Sequence, residues 1–336
     1  MTVVGPFGVS VRDQALEADV QAGLAAVEAG LTEATKSEVP FITEAAQHLV
    51  RAGGKRFRPL LVMLAAQFGD PHAPGVVPSA VVVELTHLAT LYHDDVMDEA
   101  AVRRGVASAN ARWDNSVAVL TGDFLFARAS SIVAELGPQA VRIQAEAFER
   151  LVTGQIQETA GPSGTQDPID HYLDVIAGKT GSLIAVSGRF GAMMSGAGEA
   201  VVDTLTQYGE RIGVAFQLAD DVLDIASDST ESGKTPGTDL REGVATLPVL
   251  RLRRQAAENG SAEDRRLVAL LESDLTDDAR HAEALAALRV HPALDEARRD
   301  AVRFADQARS TLAPLPDCPA KDALSALCDA VADRTG

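Results

Sequence analysis

The chain has 336 residues, of which 46% are apolar, 23% charged and 4% aromatic, and its apolar side is carried by Ala, Val and Leu, which suit helix packing. A formal charge of −18 argues against a nucleic-acid partner and against attraction to anionic lipid, both of which need basic surface. Two cysteines, Cys318 and Cys328, form neither a disulfide framework nor a zinc pattern; with no signal peptide and no long uninterrupted apolar run, the expectation is a soluble, cytoplasmic protein with at most peripheral membrane contact.

In chain order, three- and four-residue apolar spacing predicts helices near 10–35, 40–51, 58–69, 76–99, 115–136, 138–160, 168–196 and 199–227. Shorter helices are predicted near 246–258, 262–273, 277–289, 291–312 and 319–333. Gly137-Pro138 reads as a stop followed by a start, and Asp167-Pro168 as an N-cap with proline at the first helical position. Strand-like alternation is hard to find, and the linkers are short. The expected architecture is therefore all-α, with residues 1–336 forming one domain. The polar stretch 227–243 is either a solvated connector or a glycine-hinged flap closing over a charged ligand.

Asp94-Asp95-Val96-Met97-Asp98 falls near the end of the 76–99 helix, and Asp220-Asp221-Val222-Leu223-Asp224 near the end of the 199–227 helix. In each, the first and last aspartates share a face at i and i+4. Like charges there, at a helix C-terminus, oppose both each other and the macrodipole, so a hard cation is called for. Mg2+ takes one or two carboxylates from protein and further oxygens from substrate phosphate, so the pair describes a site for Mg2+ and a diphosphate. Cations supply the complement. Gly53-Gly54-Lys55-Arg56-Phe57-Arg58-Pro59 packs three of them beside two glycines, and Arg103-Arg104-Gly105 follows the first aspartate cluster. The chain has five lysines, and three of them (Lys55, Lys179 and Lys234) lie in these motifs. His87 precedes Asp94 by two turns, a spacing equally suited to a structural histidine. Gly178-Lys179-Thr180-Gly181 interrupts an otherwise helical stretch, where a kink would turn carbonyls inward.

In order, spacing and chemistry these motifs, together with Phe216-Gln217-Leu218-Ala219 and Gly233-Lys234, resemble those of the trans-type polyprenyl diphosphate synthases over residues 50–250. The resemblance implies an isoprenoid-synthase-like helical bundle with a deep central cavity, working as a homodimer. It implies that Lys55, Arg58, His87 and Arg104 hold the diphosphate of isopentenyl diphosphate. Arg103, Lys179 and Lys234 would contact an allylic diphosphate, farnesyl or geranylgeranyl. Asp94, Asp98, Asp220 and Asp224 would bind Mg2+, three ions when substrate is bound. Thr180, Gln217 and the Lys179 carbonyl would face a carbocation. Ala89 and Thr90, small residues five and four positions before Asp94, resemble the long-chain members, and the growing tail would pass Val119, Leu120 and Phe124. Tyr92 is a candidate for narrowing that channel. A terpene cyclase would not need the isopentenyl residues, and a regulatory subunit would be expected to have lost aspartates or cations.

Overall fold

The computed structural model describes residues 3–4, 9–10, 13–227 and 236–334. The chain divides into two compact units. The first comprises Met1–Glu149, Ser182–Gly209 and Thr311–Leu327, the second Arg150–Gly181, Glu210–Ser310 and Cys328–Gly336.

The first unit holds two antiparallel two-residue strands, β1 (Val3–Val4) and β2 (Val9–Ser10), then α1 (Gln14–Ala34), α2 (Pro40–Arg51), α3 (Phe57–Ala66) and α4 (Val76–Met97). A hairpin, β3 (Val102–Arg103) with β4 (Val106–Ala107), leads to α5 (Ala109–Arg112), α6 (Asn115–Glu135) and the start of α7 (Pro138–Ala160). Local chemistry sets the helix starts. Asp13 accepts from Leu16 N (2.9 Å) and Asp114 from Val117 N (2.8 Å), while Pro40 opens α2. The helices α3 and α4 are apolar nearly all round, and such helices belong inside. Accordingly α4 packs against α6, α3, α1 and α9 (Ser182–Met194), and α3 packs against α9. Each fully buried Leu or Val in this layer, such as Leu61, Leu64, Leu85 and Leu88, contributes roughly 1.5–3 kcal/mol.

The second unit continues α7 and adds α8 (Pro168–Ile176), a π turn (Ala177–Gly181) and the C-terminal part of α10 (Glu199–Ala226). There follow α11 (Thr238–Arg241), α12 (Leu247–Asn259), α13 (Ala262–Leu271), α14 (Asp278–Arg289) and α15 (Pro292–Thr311). The last helix, α16 (Pro319–Asp333), starts in the first unit and ends in the second. The core of the second unit gathers Leu218, Val222 and Ile225 of α10 with Leu247, Leu252, Leu288, Leu294 and Ala297. Asp167 caps α8 by accepting from Ile169 N (2.9 Å) and Asp170 N (3.1 Å), as Asp167-Pro168 predicted.

Most predicted helix bounds hold within a few residues. The stretch 168–196 is the main departure, since a π turn divides it into α8 and α9. The 76–99 helix stops at Met97, with Asp98 as its C-cap. Within 227–243, Gly237 at φ +72° opens the short α11, while 228–235, including Gly233 and Lys234, lies outside the described residues.

Among the described residues one helix, α6, is long and apolar enough to cross a membrane by length and composition alone. Its Ala118, Thr121, Gly122, Leu125 and Ala129 are buried, at the spacing of a helix packed on a core.

Candidate active site

In the first unit, basic side chains come from the α2–α3 link and the β3–β4 hairpin, and a histidine from the middle of α4. After α2, Gly53 (φ +84°) and Gly54 (φ +152°) take conformations that side chains resist, and Arg56 (φ +46°) enters the left-handed region just before α3. Its guanidinium turns inward, donating to the buried Glu84 Oε1 (2.9 Å), Glu28 Oε2 (3.1 Å) and the Val50 carbonyl (3.1 Å). Of the three cations in Gly53–Pro59, Arg56 is thus a structural anchor, while Lys55 is exposed.

Arg58 differs from both. Burial pulls its guanidinium down to about 10, Glu84 opposing the shift and Arg104 adding to it. Its Nε is buried with no hydrogen-bond partner among the described residues. Such a donor costs free energy until an acceptor arrives. Burial, and then Arg58, Arg104, Arg103 and Arg56, holds the half-buried His87 well below the usual histidine range, so its ring is neutral.

Arg104 occupies the turn of the hairpin. Arg104 (φ +54°) and Gly105 (φ +77°) are its two central residues, a pair of positive φ values that marks a type I′ turn, where Asn-Gly is the usual choice. The Arg104 guanidinium folds back to the carbonyls of Leu49 (3.0 Å) and Gly53. It lies flat on Gly54, where a Cβ would stand 2.8 Å from its central carbon. The hairpin was not legible in the sequence; Arg103-Arg104-Gly105 reads as a basic cluster until its φ angles are known.

The first aspartate cluster sorts its members. Asp98 N donates to the Asp94 carbonyl (2.8 Å), keeping the two residues one turn apart, and the Asp98 side chain is 41% exposed. Asp95 is fully buried and accepts from Arg103 Nε (2.5 Å). Burial raises its carboxyl above the usual range, and Arg103 opposes that. Arg103 also stands 3.9 Å from Asp98.

The second unit repeats this sorting. Asp221 is buried, accepting from Tyr172 Oη and from Gln217 Nε2 (2.9 Å), and burial followed by Asp239 pushes its carboxyl well above the usual range. Thr180 Oγ1 donates to Gln217 Oε1 (3.0 Å), so Thr180, Gln217, Asp221 and Tyr172 form one hydrogen-bonded chain. The π turn brings Thr180 into it, and Lys179 beside it pairs with Glu158 (2.7 Å). Asp224 accepts from Thr238 N (3.3 Å) and Asp239 N (3.2 Å), at the start of α11. Asp220 is 38% exposed and pairs with Arg334 (2.6 Å), whose guanidinium lies 5.0 Å from the Phe216 ring. Sequence reading missed Arg334, because a lone arginine in an acidic tail carries no pattern.

In both clusters the middle aspartate is buried and held by protein partners, while Asp98 and Asp220 of the outer pairs are partly exposed. Among the described residues no three His, Cys, Asp or Glu side chains enclose an ion. A hard cation completed by water and phosphate oxygens fits this donor set; a softer metal wanting nitrogen or sulfur does not.

Around Ala89 and Thr90 the sequence picture needs correction. Both are buried on α4, with Thr90 Oγ1 donating to the His87 carbonyl (2.9 Å). On α6, however, Val119 and Leu120 are 39% and 65% exposed, on the side away from the buried stripe, so neither walls an interior channel of this chain. Tyr92 is buried, donating to the Ala45 carbonyl (2.6 Å) and accepting from Leu49 N (3.2 Å), so its hydroxyl ties α4 to α2.

The Polyprenyl synthetase family pattern matches residues 39–288, which span both aspartate clusters and every cation discussed except Arg334. The chain belongs to the polyprenyl synthetase family. It is 50% identical over 330 residues to a nonaprenyl diphosphate synthase of Mycobacterium tuberculosis (strain ATCC 25618 / H37Rv), covering 98% of this chain and 97% of that one. The crystal structure of a decaprenyl diphosphate synthase from Rhodobacter capsulatus superimposes with a TM-score of 0.86 at 37% identity, covering 96% of this chain and 99% of that one. A geranylgeranyl pyrophosphate synthase from Corynebacterium glutamicum, complexed with calcium and isoprenyl diphosphate, gives a TM-score of 0.85 at 44% identity, covering 98% and 100%. This polyprenyl synthetase therefore shares an all-α fold with synthases of both long and short products.

Proposed function

We propose that the protein is a long-chain all-trans polyprenyl diphosphate synthase, condensing isopentenyl diphosphate head-to-tail with farnesyl or geranylgeranyl diphosphate for a quinone side chain. The observation that carries this reading is the repeated sorting of the aspartates. In each cluster the middle carboxylate is buried and bonded inward, while Asp98 and Asp220 of the outer pairs are partly exposed. Asp94, Asp98, Asp220 and Asp224 would hold Mg2+, three ions per site, which would supply the positive charge that stabilises the departing allylic diphosphate.

The chain's own residues do the rest. Lys55, Arg58, His87 and Arg104 receive the isopentenyl diphosphate; the unpartnered Nε of Arg58 and the neutral ring of His87 support an anion there. Arg103, Lys179 and Lys234 steady the allylic diphosphate. Its C–O bond breaks, and the isopentenyl double bond forms the new carbon–carbon bond with the allylic cation. A proton then passes to the departed diphosphate. Thr180, Gln217 and the Lys179 carbonyl face the cation, and apolar walls exclude water that would quench it. No side-chain nucleophile takes part. Small side chains at Ala89 and Thr90 leave the tail room to lengthen, which favours a product of six to ten isoprene units on the long-chain pattern.

The working protein is a cytoplasmic homodimer in this reading. Exposed large apolar side chains on the first unit, among them Phe41, Val119 and Leu120, support a partner copy. Incubation of purified protein with Mg2+, labelled isopentenyl diphosphate and each allylic starter, with chromatographic sizing, tests the assignment. Products of C30 to C50 are expected. C15 or C20 alone would make it a short-chain synthase, and no elongation at all would overturn the reading. Asp94→Ala and Asp220→Ala should each lose most turnover, and light scattering should give twice the chain mass of 35.2 kDa.

A further inference from the structure

The β3–β4 hairpin has two residues per strand and is largely exposed, Val102 by 62%, so it cannot hold its own shape. It nonetheless keeps Arg104 in a left-handed conformation with its guanidinium on the carbonyls of Leu49 and Gly53. Something must fix its other end.

That end is held by the residue next to Leu49. His48 of α2 places Nε2 2.7 Å from the Ala107 carbonyl of β4. A carbonyl only accepts, so Nε2 carries the proton. Nδ1 is then a lone-pair acceptor, and Arg112 Nη1, which only donates, faces it at 3.2 Å. Two neighbours of fixed character thus set the tautomer. Arg112 is itself held by Glu44 (2.5 Å) and by Trp113, whose ring lies 4.5 Å from the guanidinium. Trp113 also meets His48 edge-on (5.2 Å) and Phe41 (6.0 Å). Phe41, Glu44 and His48 recur at i, i+3 and i+7 on one stripe of α2. The hairpin therefore grips two consecutive residues of this helix, the His48 side chain at one end and the Leu49 carbonyl at the other.

We propose that His48 is a positioning residue for isopentenyl diphosphate, acting through Arg104. This rests on the reading that Arg104 receives that diphosphate. Without the His48 bond, β4 is loose, the strained turn relaxes, and the guanidinium leaves the place where it meets the phosphate. Arg103 on the neighbouring strand keeps its own tie to the buried Asp95, so the allylic side is spared.

The test is steady-state kinetics on the full-length enzyme with His48→Ala, His48→Gln, Arg104→Ala and the His48→Ala/Arg104→Ala double variant. One lost hydrogen bond is worth up to about tenfold. His48→Ala should raise KM for isopentenyl diphosphate by roughly that factor, leaving KM for the allylic diphosphate and kcat within about twofold. His48→Gln, whose amide keeps a donor near the Nε2 position, should restore most of the loss. In the double variant His48→Ala should add nothing to Arg104→Ala. Additive effects in the double variant, equal changes in both KM values, or a Gln variant as poor as Ala would each overturn the proposal. A wild-type KM in His48→Ala alongside an impaired Arg104→Ala overturns the proposal alone. An unchanged KM in Arg104→Ala overturns both, and locates the fault in the pocket assignment.

Discussion

A non-glycine residue held at positive φ costs about 1–3 kcal/mol and persists only where its surroundings over-determine it. Arg56, Glu99 and Arg104 are in this condition, and each adjoins a cation or aspartate motif of the first unit. Gly54 shows what Arg104 requires of its neighbours. A Cβ there would meet the central carbon and both terminal nitrogens of the guanidinium within 2.9 Å, and φ +152° already disfavours a side chain. Gly54→Ala should therefore raise KM for isopentenyl diphosphate about tenfold while sparing the allylic KM, measured by varying each substrate in turn. His87 supplies a pH effect. Burial, then the surrounding arginines, depresses its folded-state pKa below that of the unfolded chain. From roughly pH 6.5 down to that depressed value, the unfolded chain takes up a proton that the folded one refuses, so stability falls as pH drops. The slope is at most about 1.4 kcal/mol per pH unit. Asp221, with its raised carboxyl, acts in the opposite sense. Comparing urea unfolding of the wild type and His87→Gln between about pH 7 and about pH 5 isolates the histidine. The wild type should lose more stability; a larger loss in the variant would contradict the assignment.

At the scale of elements, the π turn decides what the 168–194 stretch can do. Apolar spacing continues through it, so the sequence reads as one helix, and only Gly178-Lys179-Thr180-Gly181 signals an interruption. The turn is set by a close approach of α7. A Cβ on Gly154 would stand 2.8 Å from Lys179 N and 3.0 Å from the Val175 carbonyl, both backbone atoms with nowhere to go. Gly154→Ala should therefore cost roughly 1–3 kcal/mol and lower kcat, as the Thr180 to Gln217 bond is disturbed. Gly181 closes the same turn. Its Cβ would meet the Glu210 carbonyl at 3.4 Å, an ordinary contact, so Gly181→Ala should stay near wild type in melting temperature and kcat. The β3–β4 hairpin is the other element that pattern reading misses. Strands of two residues carry no period, and it is Arg104 and His48 that tie them back to α2.

For the molecule as a whole, product length is the property most exposed to packing. Ala89 is buried on α4, and its carbonyl faces α6 so closely that a Cβ on Gly122 would stand 3.0 Å away. Ala89→Phe should shorten the product, read by reversed-phase chromatography. Unchanged chain length would remove Ala89 from the tail's path. By itself the sequence determined the helical architecture, nearly every helix boundary and the two aspartate clusters, because capping residues and i, i+4 spacing are local and act wherever the chain goes. It also held the residues that carry the family resemblance. Only the tertiary structure decided which members of each motif are spent internally: Arg56 on Glu84, Asp95 on Arg103, Asp221 on Tyr172 and Gln217. It alone turned Val119 and Leu120 outward, engaged Tyr92 with α2 and brought Arg334 to Asp220. Such pairings join residues far apart in the chain, and burial and direction, which no local pattern encodes, choose between equally charged neighbours.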